Sequence, residues 1–170
     1  MPRVLFVCTG NTCRSPMAEA IMKDLIERNT PVRRAIGAIG AIEVLSAGSM
    51  ADEGAPLSEP ADRALKEMGV RFAAPGARRL TKALVADADI VLTMERAHKA
   101  AVTALCPESC GKVFTLKEYA AAGAPGEDLS IDDPFGQPLF VYKATAKEIE
   151  QAARKALARI AAEYFLEGHR

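Results

Sequence analysis

The stretch Arg3–Pro16, "RVLFVCTGNTCRSP", carries the clearest fold signal in the chain. Its first six residues are mostly apolar and typical of a short β-strand that is buried on both faces. Ser15 followed by Pro16 is typical of a helix start, with Ser15 as the N-cap and Pro16 at the first helical position. The stretch therefore predicts a strand, a turn that contains two cysteines, and a helix that reaches about Asn29.

The turn has the form C-x5-R, from Cys8 to Arg14. Gly10 and Asn11 tolerate left-handed backbone conformations, so successive N–H groups can point inward and form an anion-binding nest. The start of the helix adds its positive end, and Arg14 adds a planar fork for two phosphoryl oxygens. Together with a hydrogen bond from Ser15, these donors are expected to lower the pKa of the Cys8 thiol from about 8.5 towards neutrality or below. The turn is thus predicted to bind a phosphoryl group above a nucleophilic cysteine.

Each part of this motif is weak when it is taken alone. A cysteine that ends a strand is usually a small buried hydrophobic residue. The combination of strand, Gly-Asn, Arg-Ser and helix is much more specific. No Gly-Lys-Ser/Thr follows, which disfavours a nucleotide-binding loop.

The rest of the chain alternates strands with helices. Strands are predicted at 42–48, 89–94 and 112–116, and helices at 58–68, 80–88, 95–105 and 145–165. This order indicates an α/β fold, with a doubly wound parallel sheet flanked by helices in a single domain over residues 1–170. Segment 29–41 is either a loop or an extension of the second strand. Ligands bind beyond the carboxyl ends of such strands, which is where Cys8 lies.

A second motif, "IDDPFGQP" from Ile131, offers a proton donor. Pro134 and Gly136 are typical of a tight loop, and a carboxylate in such a loop can protonate the group that leaves phosphorus. The spacing alone does not distinguish Asp132 from Asp133, and a plain surface turn is the simplest alternative.

Composition excludes several classes of function. Lys plus Arg and Asp plus Glu both number 22, so no basic field is expected to bind nucleic acid or anionic lipid. The apolar run Val4–Val7 is too short for a membrane span or a signal peptide. Four cysteines without a secretion signal indicate a cytoplasmic protein. Neither His98 nor His169 lies in a metal-ligand spacing, and no metal or cofactor is expected.

Five segments of the sequence carry a family resemblance. "VCTGNTCRSPMAE" resembles the phosphate loop of the low-molecular-weight protein tyrosine phosphatase family, and the similarity extends to "SAG" at Ser46, "DADIVLTM" at Asp87, "KVFTLKEY" at Lys112 and "DPFG" at Asp133. Within the family, the chain resembles most closely the bacterial protein-arginine phosphatase branch. That branch has threonine at the position of Thr12.

The resemblance implies a four-stranded parallel sheet and metal-independent hydrolysis through a cysteinyl-phosphate intermediate. It makes Cys8 the nucleophile, Arg14 the phosphate clamp and Asp133 the general acid, with Ser46 as a hydrogen-bonding neighbour of the loop. The expected substrate-binding residues are Thr9, Gly10, Asn11, Thr12, Cys13, Ser15 and Phe135. The implied partners are phosphorylated proteins in bacterial stress responses, with inorganic phosphate as product and inhibitor.

Three other functions stay open. A tyrosine phosphatase is the main alternative, but the loop hydroxyls of Thr9 and Thr12, the single ring of Phe135 and the absence of Trp favour a guanidinium over an aryl group. An arsenate reductase of the same fold would carry extra cysteines after the third strand. Cys106 and Cys110 come later and are expected at the surface or half-buried. A phosphopeptide-binding module without activity would lack the nucleophile or the acid.

Overall fold

The computed structural model describes residues 1–28, 42–122 and 129–166. Its central feature is one sheet in which every strand is parallel to its neighbours, in the order β2-β1-β3-β4. The strands are β1 (Arg3–Cys8), β2 (Glu43–Gly48), β3 (Ile90–Thr93) and β4 (Val113–Thr115). The predicted α/β class with four parallel strands is confirmed.

Helices cover both faces of this sheet. They are α1 (Arg14–Arg28), α2 (Glu59–Glu67), α3 (Lys82–Asp87), α4 (Arg96–Leu105), α5 (Leu116–Ala120) and α6 (Leu139–Ala161). A 3₁₀ helix (Pro107–Lys112) precedes β4, and a π-helical turn (Ala162–Leu166) follows α6. Helices α1, α2, α5 and α6 contribute to the core on one face, and α3 and α4 to the core on the other. Within the described part of the chain, no helix is long and apolar enough to cross a membrane.

Strand β1 lies in the interior of the sheet, between β2 and β3. Val4 and Phe6 pack into one core, and Leu5 and Val7 into the other. This arrangement confirms that the strand is buried on both faces. Burying a side chain of this size stabilises the fold by about 1.5–3 kcal/mol relative to exposure.

Helix α1 has the predicted buried face but a different start. Met17, Ile21 and Leu25 are buried, as their spacing predicts. The helix begins at Arg14, so the prediction of Ser15 as N-cap is wrong. The Ser15 hydroxyl lies 2.9 Å from Cys8 Sγ, and it therefore serves the loop instead of capping the helix. The predicted end at Asn29 lies outside the described residues.

Further boundaries differ from the prediction. Helix α6 begins at Leu139, six residues before the predicted Thr145, because Pro138 provides an extended N-cap and Tyr142 continues the buried face. Helix α5 was not predicted, although Thr115 and Glu118 form a capping box, which is a signature visible in "TLKE".

The two late cysteines differ in exposure. Cys106 is fully buried in the core next to Val102, so the expectation of a surface or half-buried thiol is wrong for it. Its Sγ donates to Glu108 at 3.0 Å. Cys110 is exposed, as expected. Segment 29–41, residues 123–128 before the "IDDPFGQP" motif, and His169 lie outside the described residues.

The loop after β1 lies against the end of β2 at Gly48. A Cβ at this position would lie 2.5 Å from the Thr9 carbonyl oxygen and 2.9 Å from the Asn11 backbone nitrogen. Both of these neighbours are backbone atoms, which cannot move aside as a flexible side chain would. The close approach of β2 to the loop therefore requires glycine.

We expect Gly48→Ala to destabilise the protein by about 1–3 kcal/mol, because the added methyl group overpacks the contact with the loop. Urea denaturation would measure the change in the free energy of unfolding. Gly111→Ala is the matched control, since a Cβ there meets no atom within 4 Å. Equal stability of Gly48→Ala and the wild type would contradict this account of the contact.

Candidate active site

Cys8 lies at the carboxyl end of β1 and at the base of the loop that leads to α1. Its side chain is buried, with Sγ 2.9 Å from Ser15 Oγ. The backbone N–H of Asn11 donates to the same sulfur at 3.3 Å. The sulfur therefore has hydrogen-bonding neighbours on two sides.

Asn11 holds the loop from within. Its φ is +54°, which is the left-handed conformation expected from the sequence. The side-chain amide donates to Ser15 Oγ (2.8 Å) and Ser46 Oγ (2.9 Å), and its oxygen accepts from the backbone N–H of Arg78 (2.8 Å). One side chain thus connects the loop to α1, to β2 and to the segment before α3.

A buried carboxylate extends this network. Ser46 Oγ donates to Glu19 Oε2 at 2.6 Å, and Lys23 Nζ pairs with Glu19 Oε1 at 2.6 Å. No role for Glu19 is predicted from the sequence. Its spacing of four residues from Lys23 is typical of an ion pair on a helix, but it gives no sign of burial against β2.

Arg14 is bound by groups from two other parts of the chain. Its Nη1 donates to the carboxylate of Glu95 and, at 2.9 Å, to the carbonyl of Ile131. Its Nη2 pairs with Asp133 Oδ2 at 3.0 Å. Glu95, which follows β3, is a second residue of the site for which the sequence predicts no role.

The electrostatics at Cys8 differ from the expectation. Burial raises the pKa of the Cys8 thiol, and this effect outweighs the hydrogen bonds of Ser15 and Asn11 and the charge of Arg14, which lower it. The predicted net decrease is therefore not what this arrangement produces. Two carboxylates face the guanidinium of Arg14, so little of its positive charge is left to stabilise a thiolate.

A small cleft of about 230 Å³ opens above the sulfur. It is lined by Cys8, Thr9, Gly10, Thr12, Cys13, Arg14, Asp133 and Phe135. Asn11 and Ser15 are buried and do not line it. The structure thus brings together all the predicted site residues, eight at the cleft and two beneath it.

The two adjacent aspartates differ in their position relative to the cleft. Asp133 contacts Arg14 and accepts from the Phe135 N–H at 3.3 Å, whereas Asp132 does not line the cleft. The ring of Phe135 is 73 % exposed at the rim. Among residues 1–28, 42–122 and 129–166, no cluster of His, Cys, Asp and Glu could hold a metal ion.

This combination of fold and loop defines a cysteine-dependent phosphatase. The family model described as low molecular weight phosphotyrosine protein phosphatase matches residues 3–165, and the chain belongs to this family. The resemblance found in the sequence is confirmed.

Three similar proteins are informative. The protein-arginine-phosphatase of Geobacillus stearothermophilus is 41 % identical over 87 % of this chain and 88 % of its own. The low molecular weight protein-tyrosine-phosphatase PtpB of Staphylococcus epidermidis is 34 % identical over 86 % of this chain and 91 % of its own. The solved structure of the YwlE arginine phosphatase from Geobacillus stearothermophilus has a TM-score of 0.83 and 36 % identity, and the match covers 100 % of this chain and 99 % of that one.

We expect Glu95→Gln to lower the pKa of Cys8, because the charge of Arg14 is then less neutralised. The measurement is the pH dependence of alkylation by iodoacetamide, followed on the Cys8 peptide by mass spectrometry. Glu150→Gln is the control, since Glu150 pairs with Arg154 on α6 and does not line the cleft. The same alkylation midpoint in Glu95→Gln and the wild type would show that Glu95 does not restrain Arg14.

Proposed function

We propose that this chain is a protein-arginine phosphatase, which hydrolyses phosphoarginine in proteins without a metal through a cysteinyl phosphate. One contact carries the proposal: the Asp133 carboxylate binds a guanidinium, that of Arg14, at the opening above Cys8. A phosphoarginine substrate presents the same chemical group to the same carboxylate. The similarity to the Geobacillus protein-arginine-phosphatase supports this choice of substrate.

The first half-reaction transfers the phosphoryl group to sulfur. The Cys8 thiolate attacks phosphorus, an S–P bond forms and the P–N bond of the substrate breaks. Asp133 pairs with Arg14 as a carboxylate before the substrate binds. It takes up the proton of the Cys8 thiol when Arg14 leaves it, and donates that proton to the departing guanidinium nitrogen. Arg14 exchanges its carboxylate partners for two phosphoryl oxygens, and the inward backbone N–H groups of the loop bind the remaining charge.

The second half-reaction releases phosphate. Asp133, now ionised, takes a proton from a water molecule that attacks phosphorus, so an O–P bond forms and the S–P bond breaks. The Ser15 hydroxyl, 2.9 Å from Cys8 Sγ, stabilises the departing thiolate. Inorganic phosphate fits the same loop, and we therefore propose it as a product inhibitor.

The walls of the cleft favour a guanidinium. Thr9 and Thr12 add hydroxyls to the lining, and Phe135 adds one exposed ring. A planar guanidinium needs acceptors beside a thin apolar surface, whereas an aryl group needs apolar walls on both faces. The exposed ring and the similarity to PtpB keep phosphotyrosine as the second candidate substrate.

The biological setting belongs to the same proposal. Phosphorylated proteins are the substrates, and a role in bacterial stress responses follows from the resemblance to the arginine branch. We propose a cytoplasmic location because a nucleophilic thiol has to remain reduced, and all four cysteines are free in this structure. The family match over residues 3–165 supports a single phosphatase domain.

We expect Asp133→Ala to lower kcat on a phosphoarginine peptide by roughly 10²–10⁴-fold, since the departing nitrogen loses its proton donor. The loss should shrink for dinitrophenyl phosphate, whose leaving group needs no proton. Asp132→Ala is the control, because Asp132 does not line the cleft. A larger loss in Asp132→Ala would assign the acid to the neighbouring residue instead.

The choice of substrate is tested with two peptides of one sequence, which carry either phosphoarginine or phosphotyrosine. The wild type should have the higher kcat/KM on phosphoarginine, and Cys8→Ser should hydrolyse neither. We expect Thr12→Ile to shift the ratio towards phosphotyrosine by ~10-fold or more, because a hydrogen bond to a charged group is lost and an apolar wall is gained. A wild type that prefers phosphotyrosine would make the chain a tyrosine phosphatase.

A further inference from the structure

His98 is a buried histidine beside the cleft for which the sequence indicates no role. It lies on α4 and is 5 % exposed. Its Nε2 is 2.8 Å from Thr9 Oγ1, although 89 residues separate the two in the chain. Thr9 lines the cleft, so the imidazole contacts the phosphate loop from behind.

The surroundings of the other ring nitrogen, Nδ1, show which of the two neutral tautomers of His98 is favoured. Nδ1 is buried and has no hydrogen-bond partner among the described residues. If Nε2 accepted from the Thr9 hydroxyl, Nδ1 would carry the hydrogen and become a buried N–H without a partner. Such orphaned donors are rarer in proteins than unpartnered acceptors. The favoured form therefore has the hydrogen on Nε2 and a bare lone pair on Nδ1.

The charges around the ring are compatible with a neutral imidazole. Burial lowers the pKa of His98, and the positive charge of Arg14 lowers it further. The carboxylates of Glu95 and Asp133 raise it by less. A neutral ring has only one N–H, and among the described residues Thr9 is the partner that this hydrogen finds.

This contact has a consequence for the Thr9 hydroxyl. The hydroxyl has a single hydrogen, and an oxygen that accepts from His98 does not use that hydrogen in the contact. The hydroxyl hydrogen can then be donated to a group that is bound in the cleft. Had Nε2 been the acceptor, the hydrogen would point away from the cleft and towards the ring.

We propose that His98 is a positioning residue, which donates its Nε2–H to Thr9 Oγ1 and thereby directs the Thr9 hydroxyl hydrogen towards a bound phosphoryl group. The phosphoryl group then has three kinds of donor: the backbone N–H groups of the loop, the guanidinium of Arg14 and the hydroxyl of Thr9. The inference rests on the proposed phosphatase activity, but it applies to any phosphoryl substrate. Hydrogen bonds to charged groups are about twice as strong as neutral ones, so this donor contributes most where the phosphoryl oxygens carry most charge.

A double-mutant cycle on kcat/KM tests the coupling. We expect Thr9→Val, which removes the hydroxyl, and His98→Leu, which frees it to rotate, each to lower kcat/KM by about tenfold. The double variant should be no slower than Thr9→Val alone. Thr9→Ser is the matched control variant, because it keeps the hydroxyl. Adding His98→Leu to Thr9→Ser should therefore still lower kcat/KM by about tenfold. A further loss on adding His98→Leu to Thr9→Val would show a general structural role and overturn the inference.

The tautomer is measured independently of activity. The chain has two histidines, so the ¹⁵N signals of the His98 ring are assigned by their loss in His98→Leu. We expect the neutral ring to carry its hydrogen on Nε2. A hydrogen on Nδ1 would overturn the inference even if both variants are slow.

The cycle is run on a phosphoarginine peptide and on p-nitrophenyl phosphate, so that the two proposals fail separately. Turnover of the aryl phosphate alone, with non-additive variants, would reject the arginine phosphatase and support the role of His98. Turnover of both substrates, with additive effects of the two substitutions, would support the arginine phosphatase and reject the role of His98.

Discussion

The conformation of the loop that follows β1 depends on the side chain of Asn11. A row of inward N–H groups requires a left-handed residue within the loop, and Asn11 supplies it at φ +54°. Left-handed backbone is unfavourable for residues with a side chain, so it persists only where the surroundings stabilise it. Here the amide makes three hydrogen bonds, to Ser15, Ser46 and the backbone of Arg78, each worth about 1 kcal/mol. The position of the Cys8 sulfur follows from these contacts.

A second constraint comes from charge. Arg14 is buried, and a buried guanidinium without a partner would be strongly destabilising. Glu95, Asp133 and the Ile131 carbonyl satisfy it. These contacts keep Arg14 and the proposed acid in one cleft, but they also reduce the positive charge that faces Cys8. In the proposed reaction a phosphoryl group replaces the carboxylates, so substrate binding and activation of the thiol would be linked through the same guanidinium.

The sequence predicts most of the local structure because its signals are short-range. The apolar run of β1, the C-x5-R turn and the buried stripe of α1 all lie within about 25 residues. Ser15 is the exception to these local signals. Ser-Pro is typical of a helix start, but the Ser15 hydroxyl has better partners in Cys8, at the end of β1, and Asn11, on the loop that follows. A local preference thus yields to a tertiary hydrogen bond.

The fold class, the Cys-containing loop after β1 and the family are all visible in the sequence. The loop is visible in residues that are neighbours in the chain, and the fold class and the family in short motifs spread along it. The tertiary structure was needed to show which further distant side chains surround that loop. Glu95 and His98 come from the residues after β3 and from α4, and Asp133, which the family resemblance already indicated, comes from the loop before α6. They meet Arg14 and Thr9 because β3 lies parallel to and beside β1, so that their carboxyl ends share one edge of the sheet. No spacing in the sequence records that adjacency, which depends on strand order.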